Sequence, residues 1–409
     1  MPSPTELALE EADGLVGYER RLLSALVSER SVRGEASDIH ELCGEELEKS
    51  GLQVEAVHSD LNKWADHPEW CPPAIAVAEP ERLISVLGSW GEGPGILLFA
   101  HIDTEDPAAQ AGWSADPYQA VEKNGRIYGL GAADDKAGVV SVLTAARCLI
   151  PHLEGVRLVV GLVHGKLGGG LGTLPAMDRV GDVEAAVYCH PAETGRGMAQ
   201  IKTATRGFFN FGIQTRGRRP APAEIRTPVS EDPRQGRNAF GGLRTVLDAV
   251  EHWADQSDLV CSFNRVRAGE DPTFLPEQAL AEGAVWFRHG TFSEVFDRLS
   301  EVALRAGADS TRIFGMRSNP AEVAADHPLV QVTGRAVQAE TGVWPGNYPA
   351  HVASDIRFPL RCLNVATVGL GTLAGNFYGP DEWVNAADLH RVTRVIIRIV
   401  TSWASEVDV

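Results

Sequence analysis

Residues 95–103 read GILLFAHID, an apolar run that ends in the polar residues His101 and Asp103. A short continuous apolar run is typical of a strand that is buried on both faces of a parallel sheet. Two further runs share this pattern and also end in histidine, VRLVVGLVH at 156–164 and VEAAVYCH at 183–190. Open α/β sheets bind ligands at the carboxyl ends of their strands. We therefore expect one edge of the sheet to carry a site that includes His101, Asp103, His164 and His190.

Helical patterns alternate with these strands, which indicates an α/β fold with a mostly parallel sheet between layers of helices. The segment 129–150, for example, predicts a loop followed by a buried helix. Residues 206–316 have a different order of strands and helices, which indicates a β-α-β-β-α-β unit of the ferredoxin-like, α+β kind. We predict an α/β domain of residues 1–205 and 317–409 with an inserted α+β domain of residues 206–316.

Composition excludes several classes of partner. The chain has 409 residues and a net charge of −18, which disfavours binding to nucleic acid or to an anionic membrane surface. No apolar run reaches the roughly 20 residues that a transmembrane helix needs. Six scattered cysteines without a CxxC pair, and an acidic N-terminus without a signal-peptide layout, favour a reduced cytoplasmic location. A small molecule is the expected partner.

The strongest chemical cluster is His101-x-Asp103 followed by Asp134 and Asp135. An imidazole at a strand end can bind a metal ion while a nearby carboxylate orients the ring. Asp134 lies in a loop rich in glycine and alanine, which allows its carboxylate to approach the same ion. A His-x-Asp pair also arises by chance, so these residues alone leave both interpretations open.

The surrounding sequence resembles the M20 metallopeptidase family, and within it the branch of acetylornithine deacetylase and succinyl-diaminopimelate desuccinylase. The similarity is carried by AHIDTEDP at 100–107 and by GWSADPYQAVEKNGRIYGLGAADDKAG at 112–138. It continues in SDIRF at 354–358 and PDEWV at 380–384. The resemblance implies a zinc-exopeptidase-like α/β domain, with the inserted domain serving as a lid and as a dimerisation surface. It also implies two zinc ions that act on an amide bond.

The resemblance implies that some of the metal ligands are kept. His101 matches the histidine of the His-x-Asp pair, Asp103 matches the residue that orients it, and Asp134 matches the aspartate that bridges both ions. His190 stands before Pro191, where the family has an acid. These residues would hold one zinc or other divalent ion through His101, Asp134 and His190, with an open fourth position.

The ligands of the second ion and the general base are missing. The family's Glu-Glu pair falls on Lys166 and Leu167, or on Gly165 and Lys166 if the alignment shifts by one residue. The family's late histidine falls on Tyr378, and its lid histidine is absent from RRPAPAEI at 218–225. The second metal site is therefore predicted to be lost, with the Lys166 ammonium standing in for part of the missing charge.

Other residues carry both a functional and an ordinary interpretation. Arg357 matches an arginine that binds a substrate carboxylate in related enzymes, or it forms a structural salt bridge. Asn238 reaches substrate, or it caps the following helix. His164 replaces the lost acid-base group, or it is a simple loop residue, and His351 faces the substrate on similar grounds. Asp381 and Glu382 are expected to cap the last helix or to pair with surface cations.

The sequence favours an enzyme of the M20 type that acts on a small amide- or carboxylate-bearing metabolite. Loss of a positioned base typically costs about 100- to 10,000-fold in rate, so standard two-zinc hydrolysis is disfavoured. Acyl transfer, amide formation or cyclisation at one metal or at a lysine-substituted site is expected, with Lys166, Tyr378 and His164 in catalytic roles. The alternatives are a non-catalytic protein that binds a ligand or partner, and a residual metal-dependent N-acyl amino acid deacylase or peptidase. A homodimer formed through the lid is also expected.

Overall fold

A computed structural model describes residues 2–73, 77, 79–167, 169–219, 236–272, 274–349 and 351–407. The chain divides into two compact units. The first unit comprises Met1–Thr205 and Ala321–Val409, and the second comprises Arg206–Pro320. The segment RRPAPAEI at 218–225, from which the family's lid histidine is absent, lies outside the described residues from residue 220 onward.

The helices are stabilised by caps and by apolar faces. Ser3 and Thr291 each form a capping box with the glutamate three residues later, which satisfies free backbone N–H groups at a helix start. The helices are α1 (Pro4–Asp13), α2 (Val16–Ser28), α3 (Ile39–Lys49), α4 (Leu61–Trp64), α5 (Ala137–Leu149), α6 (Thr173–Met177), α7 (Ala239–Gln256), α8 (Phe292–Arg305), α9 (Pro328–Thr341) and α10 (Ala386–Val407). Residues 4–50 thus contain three separate helices, α1, α2 and α3.

Strands occur in both units. Those of the first unit are β1 (Gln53–His58), β2 (Ile84–Trp90), β3 (Gly95–His101), β4 (Val121–Lys123), β5 (Arg126–Tyr128), β6 (Arg157–Val163), β7 (Ala185–Tyr188), β8 (Gln200–Ile201) and β9 (Ala204–Thr205), and, after the second unit, β14 (Ala321–Glu322), β15 (Gly346–Asn347), β16 (Ala366–Gly369), β17 (Ala374–Gly375) and β18 (Trp383–Asn385). Those of the second unit are β10 (Gly207–Arg216), β11 (Val260–Ala268), β12 (Gln278–Phe287) and β13 (Ser310–Ser318).

The main sheet of the first unit has the order β1-β2-β6-β3-β7-β16. Strands β6, β3, β7 and β16 run parallel, whereas β1 and β2 pair antiparallel at one edge. Every residue of β3 is buried, which explains its continuous apolar sequence. His101 ends this central strand and pairs with Val163 at the end of β6, so the predicted strand ends do meet at one edge of the sheet.

The first turn of α5 approaches the backbone just after β7 very closely. A Cβ atom placed on Gly138 would lie 1.9 Å from the carbonyl oxygen of Cys189. Only glycine permits this approach, which brings the Asp134 loop beside His190. The peptide bond between Asp134 and Asp135 is cis.

The second unit follows the order β10-α7-β11-β12-α8-β13 along the chain, and its antiparallel sheet has the order β11-β12-β10-β13. Helices α7 and α8 pack on β10 and the neighbouring strands around a core that includes Phe209, Phe211 and Phe287. Across the described residues of both units, no helix is long and apolar enough to cross a lipid bilayer.

Candidate active site

Three residues from separate strand ends and loops converge in the interior of the first unit. His101 Nε2 donates a hydrogen bond to Asp134 Oδ1, and His190 Nε2 lies 3.1 Å from the same oxygen. All three side chains are buried. The structure therefore brings together the three residues that the sequence nominated as metal ligands.

Asp103 supports the cluster from two sides. His101 Nδ1 lies 3.0 Å from the Asp103 carbonyl oxygen and 3.4 Å from its carboxylate. That carboxylate also accepts hydrogen bonds from the backbone N–H groups of Lys166 and Leu167, at 3.1 and 3.0 Å. Asp103 thus fixes both the ring of His101 and the Gly-rich loop that carries Lys166.

Lys166 extends its ammonium into this cluster. Its Nζ lies 3.6 Å from Asp134 Oδ1 and 3.2 Å from His190 Nε2, and its side chain is 8% exposed. Burial alone would lower the pKa of Lys166, but the carboxylates of Asp134 and Glu193 outweigh burial and raise it above its ordinary value. Lys166 is therefore a stable cation at neutral pH.

Tyr378 covers the ammonium of Lys166, whose Nζ lies 5.8 Å from the centre of the phenol ring. A cation over an aromatic face is attracted by the negative potential of the ring. Burial, together with the nearby carboxylates of Asp134 and Glu193, raises the pKa of Tyr378 well above its usual range. The phenol therefore stays protonated and can act as a hydrogen-bond donor.

Lys202 is a second cation that sequence inspection did not find. It is fully buried, and its Nζ lies 2.6 Å from His190 Nδ1, a nitrogen that also lies 2.8 Å from the Pro191 carbonyl oxygen. Burial lowers the pKa of Lys202 to about 8. No pattern in the sequence pointed to a contact between Lys202 and His190.

The pKa values of His101 and His190 are shifted in opposite directions. Burial opposes a charge on His101, but Asp134 outweighs that effect and raises the pKa of His101 to about 10. Burial and the Lys202 ammonium lower the pKa of His190 to about 3. Without a metal ion, His101 is thus an imidazolium paired with Asp134, whereas His190 is neutral; a bound ion would require the neutral form of both rings.

Glu193 and His351 form a polar pair beside this cluster. His351 Nε2 lies 2.9 Å from Glu193 Oε1, and the same oxygen lies 3.6 Å from His190 Nε2. The sequence nominated His351 but not Glu193. The only signal for Glu193 was its position three residues after His190.

Glu382 holds the loop that carries Asp134. Its buried carboxylate accepts hydrogen bonds from the backbone N–H groups of Gly131, Ala133 and Asp134, at 3.1, 2.7 and 2.9 Å. The expectation that Glu382 caps the last helix or pairs with a surface cation is therefore wrong, because burial places it against backbone donors. Asp381 instead accepts hydrogen bonds from the N–H and hydroxyl groups of Ser114.

Two predicted residues have partners that match their ordinary interpretation. Arg357 is buried, donates to the Ala353 carbonyl at 2.9 Å and lies 3.5 Å from the Asp355 carboxylate. Asn238 caps helix α7 of the second unit by accepting a hydrogen bond from the N–H of Gly241 at 3.1 Å. Substrate binding by either residue stays a prediction.

His164 lies at the end of β6, and its ring is buried. Within the described part of the chain, neither ring nitrogen has a hydrogen-bond partner. Burial lowers the pKa of His164, so the ring is neutral. The contacts of the site thus do not bring His164 to Lys166, and its acid-base role stays a prediction.

The donor set fits one metal ion. His101, Asp134 and His190 each offer a ligand atom, and these atoms lie within 4.8 Å of one another. The other nitrogen of each ring faces a backbone carbonyl, as is usual for histidines that bind metal. Asp134 Oδ2 is buried without a hydrogen-bond partner among the described residues, which leaves a lone pair available. Lys166 and Tyr378 lie beside this set, and a second group that could hold an ion, His190, Glu193 and His351, shares His190 with it.

Comparison with known proteins assigns the family. Residues 97–402 match the description of Peptidase family M20/M25/M40, and the chain belongs to this family. The resemblance inferred from the His-x-Asp and DDKAG segments is thereby confirmed.

The relatives found by sequence are named succinyl-diaminopimelate desuccinylase. One from Methylobacterium radiotolerans is 27% identical over 326 residues, which cover 76% of this chain and 81% of the relative. One from Alkalilimnicola ehrlichii is 24% identical and covers 91% of this chain and 96% of the relative.

Solved structures share the fold at low identity. A tripeptidase from Staphylococcus aureus matches with a TM-score of 0.73 and 15% identity, over 95% of this chain and 99% of that chain. A dinuclear metal binding peptidase of the M20 family from Bacillus subtilis matches with a TM-score of 0.66 and 14% identity, over 96% and 99%. The mixed α/β fold is therefore that of M20 peptidases.

Proposed function

We propose that this protein is an enzyme that transfers an acyl group from a small carboxylate-bearing amide to an amine, instead of carrying out two-metal hydrolysis. The observation that carries the proposal is the contact of the Lys166 ammonium with Asp134 and His190, in the loop where the family places its glutamate pair. A fixed cation at this position can stabilise the negative charge that develops on a carbonyl oxygen during acyl transfer. A lysine ammonium cannot serve there as a general base.

One metal ion fits beside this cation, with His101, Asp134 and His190 as its ligands. When bound, such an ion supplies Lewis acidity toward a carbonyl oxygen. Side chains of the protein orient the ligands and stabilise the developing charge. Asp103 orients His101, and Lys166 with Tyr378 takes the place of the second ion. The Tyr378 hydroxyl is placed to donate a hydrogen bond to a developing oxyanion.

Two observations favour a carboxylate-bearing amide as the substrate. The cluster combines the ammonium groups of Lys166 and Lys202, a concentration of positive charge that favours an anionic substrate. The desuccinylases among the relatives are named for removing an acyl group that itself carries a carboxylate. We further propose that Arg357 reaches the carboxylate after rearrangement, and that the second unit acts as lid and dimer contact with Asn238 facing the substrate.

The test is a product analysis. Purified protein is incubated with N-succinyl and N-acetyl amino acids, with and without hydroxylamine as acceptor, and the products are quantified by mass spectrometry. We expect hydroxamate to form faster than free acid. The Lys166→Ala variant is expected to lose at least about 100-fold of this rate, because a lost oxyanion-stabilising donor costs about that much. Lys123→Ala removes an exposed lysine and serves as the matched control.

Hydrolysis of an N-acyl amino acid is the second candidate, and the family membership of the chain favours it. Free acid as the main product in the presence of hydroxylamine, at a rate that Lys166→Ala does not change, would establish it and reject acyl transfer. Binding of a substrate without turnover of any donor would instead support a ligand-binding protein.

A further inference from the structure

The centre lacks the glutamate that serves its family as general base, and this leaves open which group accepts a proton. Acyl transfer to an amine requires such a group, because the attacking nitrogen must lose a proton. The described residues around Lys166 include one neutral imidazole that a carboxylate orients. We infer that His351, positioned by Glu193, is the general base of this centre, an inference that rests on the proposed acyl transfer.

The hydrogen bond between Glu193 and His351 decides which nitrogen of His351 carries the proton. A carboxylate can only accept, so His351 Nε2 donates its proton to Glu193 Oε1 across 2.9 Å. A neutral imidazole then has a lone pair on Nδ1. His351 Nδ1 is buried and has no hydrogen-bond partner within the described residues, and the side chain is 9% exposed. His351 Nδ1 therefore carries a lone pair that no described residue engages.

The position of the pair connects it to the proposed oxyanion site. The ring centre of His351 lies 6.1 Å from that of His190, edge to face. His190 in turn contacts the Lys166 ammonium at 3.2 Å. His190 thus contacts the Lys166 ammonium on one side and the ring of His351 on another, which places the proposed base and the proposed oxyanion donor around one imidazole.

Glu193 has a strained backbone and a partly exposed side chain. Its φ angle is 59°, in the left-handed region that residues other than glycine rarely adopt. Such backbone strain concentrates at functional sites, where it fixes a side chain in a required direction. The Glu193 side chain is 23% exposed, more than those of Lys166 and His351, so a substrate can reach this side of the cluster.

Charged groups of both signs face His351. The Glu193 carboxylate, on the segment that follows His190, favours the protonated ring and raises its pKa, whereas burial and the ammonium groups of Lys202 and Lys166 oppose the charge. Burial and the Lys202 ammonium lower the pKa of His351. A neutral imidazole is the form that can accept a proton.

The proposed step balances without an added reagent. The acceptor amine attacks the acyl carbon, and its N–H proton passes to His351 Nδ1 as the new C–N bond forms. The bond to the donor nitrogen then breaks, and His351 returns the proton to that leaving nitrogen. Glu193 stays ionised throughout and stabilises the imidazolium, as an orienting carboxylate does in other histidine-based centres. Glu193 is thus a positioning residue and His351 a catalytic one.

The first experiment needs no substrate. Long-range proton–nitrogen NMR correlations of protein labelled with [15N]histidine report which nitrogen of each ring is protonated, and the His351→Asn variant identifies the His351 signal. We expect Nδ1 to be unprotonated in the wild type and a mixture of tautomers in Glu193→Ala. A protonated Nδ1 in the wild type overturns the inference. Binding of a metal ion by His190, Glu193 and His351 through Nε2 would give that result.

The second experiment is kinetic and separates the base from the proposed function. His351→Ala is expected to lose about 100- to 10,000-fold in kcat with little change in KM, and added imidazole is expected to restore part of the rate. His58→Ala, which removes an exposed imidazole, is the control. A His351→Ala variant with wild-type kcat, alongside an inactive Lys166→Ala, overturns the base and leaves the proposed function intact. If no acyl donor is turned over, the proposed function fails. The tautomer measurement alone then shows whether Glu193 fixes the proton on Nε2 of His351.

Discussion

At the scale of single residues, two lysines enclose the imidazole of His190. Lys166 Nζ lies 3.2 Å from Nε2, and Lys202 Nζ lies 2.6 Å from Nδ1. A neutral imidazole has one lone pair, so whichever nitrogen lacks the proton faces an ammonium group. His190 can bind a metal through Nε2 only when Nδ1 carries the proton. The Lys202 ammonium therefore competes with metal binding by His190.

This competition predicts the effect of removing the buried charge. Lys202→Met keeps most of the side-chain volume and is expected to raise zinc affinity by at least about tenfold, since 1.4 kcal/mol suffices for that factor and a buried ammonium opposes the ion by more. Competition with a chromogenic chelator measures the dissociation constant. Lys63→Met, at an exposed lysine, is the control. An unchanged or weaker affinity in Lys202→Met would show that Lys202 supports the metal site.

A second prediction concerns the number of ions. We expect one zinc ion per wild-type chain, held by His101, Asp134 and His190, because the second possible donor set among the described residues shares His190 with the first and the Lys166 ammonium lies 3.2 Å from that ring. Lys166→Glu replaces the ammonium by a carboxylate at a position that the family uses for a ligand, so this variant is expected to bind two. Metal analysis by mass spectrometry after dialysis against zinc gives both counts. Two ions in the wild type would contradict the replacement of a metal by Lys166.

The residues of this site that belong to a motif were predictable from the sequence, and those outside any motif were not. His101 and Asp134 stand in segments whose spacing is specific, and His190 ends an apolar run. Lys202 and Glu193 act only through contacts with His190 and His351, which no local pattern records. Burial of a lysine is also the reverse of the usual preference, so composition could not suggest it.

At the scale of secondary-structure elements, the carboxyl ends of β3, β6 and β7 were predictable because each strand is a continuous apolar run. The boundaries of the helices were harder to predict from the sequence. Residues 4–50 break into α1, α2 and α3 because the segments between them include Gly14 and Gly34, and Gly34 adopts a positive φ of 76°. The hairpin of β17 and β18 was missed because two- and three-residue strands carry no readable alternation. That hairpin nevertheless delivers Glu382 to the Asp134 loop.

The contact of Glu382 with the Asp134 loop gives a stability prediction. Glu382→Ala would leave three buried N–H groups without an acceptor, and each such group costs about 1–3 kcal/mol. We expect a loss of roughly 3 kcal/mol or more in the free energy of unfolding, together with loss of metal binding as Asp134 moves. Urea denaturation measures the first and chelator competition the second. Asp381→Ala, next in sequence but bonded to exposed Ser114, should lose under about 1 kcal/mol.

At the scale of the whole molecule, an acidic chain with a net charge of −18 buries several of its few lysine side chains. The sequence has six lysines, and three of them, Lys136, Lys166 and Lys202, lie in the interior of the first unit. Burying an ammonium is costly unless carboxylates or carbonyl groups compensate it. Asp134 and Glu193 compensate Lys166, whereas the hydrogen bond of Lys136 within the described residues goes to the backbone carbonyl of Glu29, at 2.9 Å, and the carboxylate of Glu382 offsets burial only in part. Lys136 therefore carries the larger uncompensated cost.

This cost makes stability depend on pH in a direction that can be worked out. Burial lowers the pKa of Lys136 from 10.5 to about 7 in the folded protein. Between these values the unfolded chain binds more protons, so this residue makes the free energy of unfolding rise as pH increases from 7 to 10.5. Lys136→Met is expected to stabilise the protein at pH 6 by on the order of a few kcal/mol, and its advantage should shrink toward pH 10.

Urea midpoints of the wild type and of Lys136→Met, measured from pH 6 to pH 9.5, test this dependence. Lys123→Met alters an exposed lysine and should differ from the wild type by a small amount that does not vary with pH. If the advantage of Lys136→Met is the same at every pH, the gain comes from packing and Lys136 is not an uncompensated buried charge. If the variant is less stable at pH 6, the hydrogen bond to Glu29 outweighs the cost of burial, and the ammonium belongs to the structural support of the Asp134 loop.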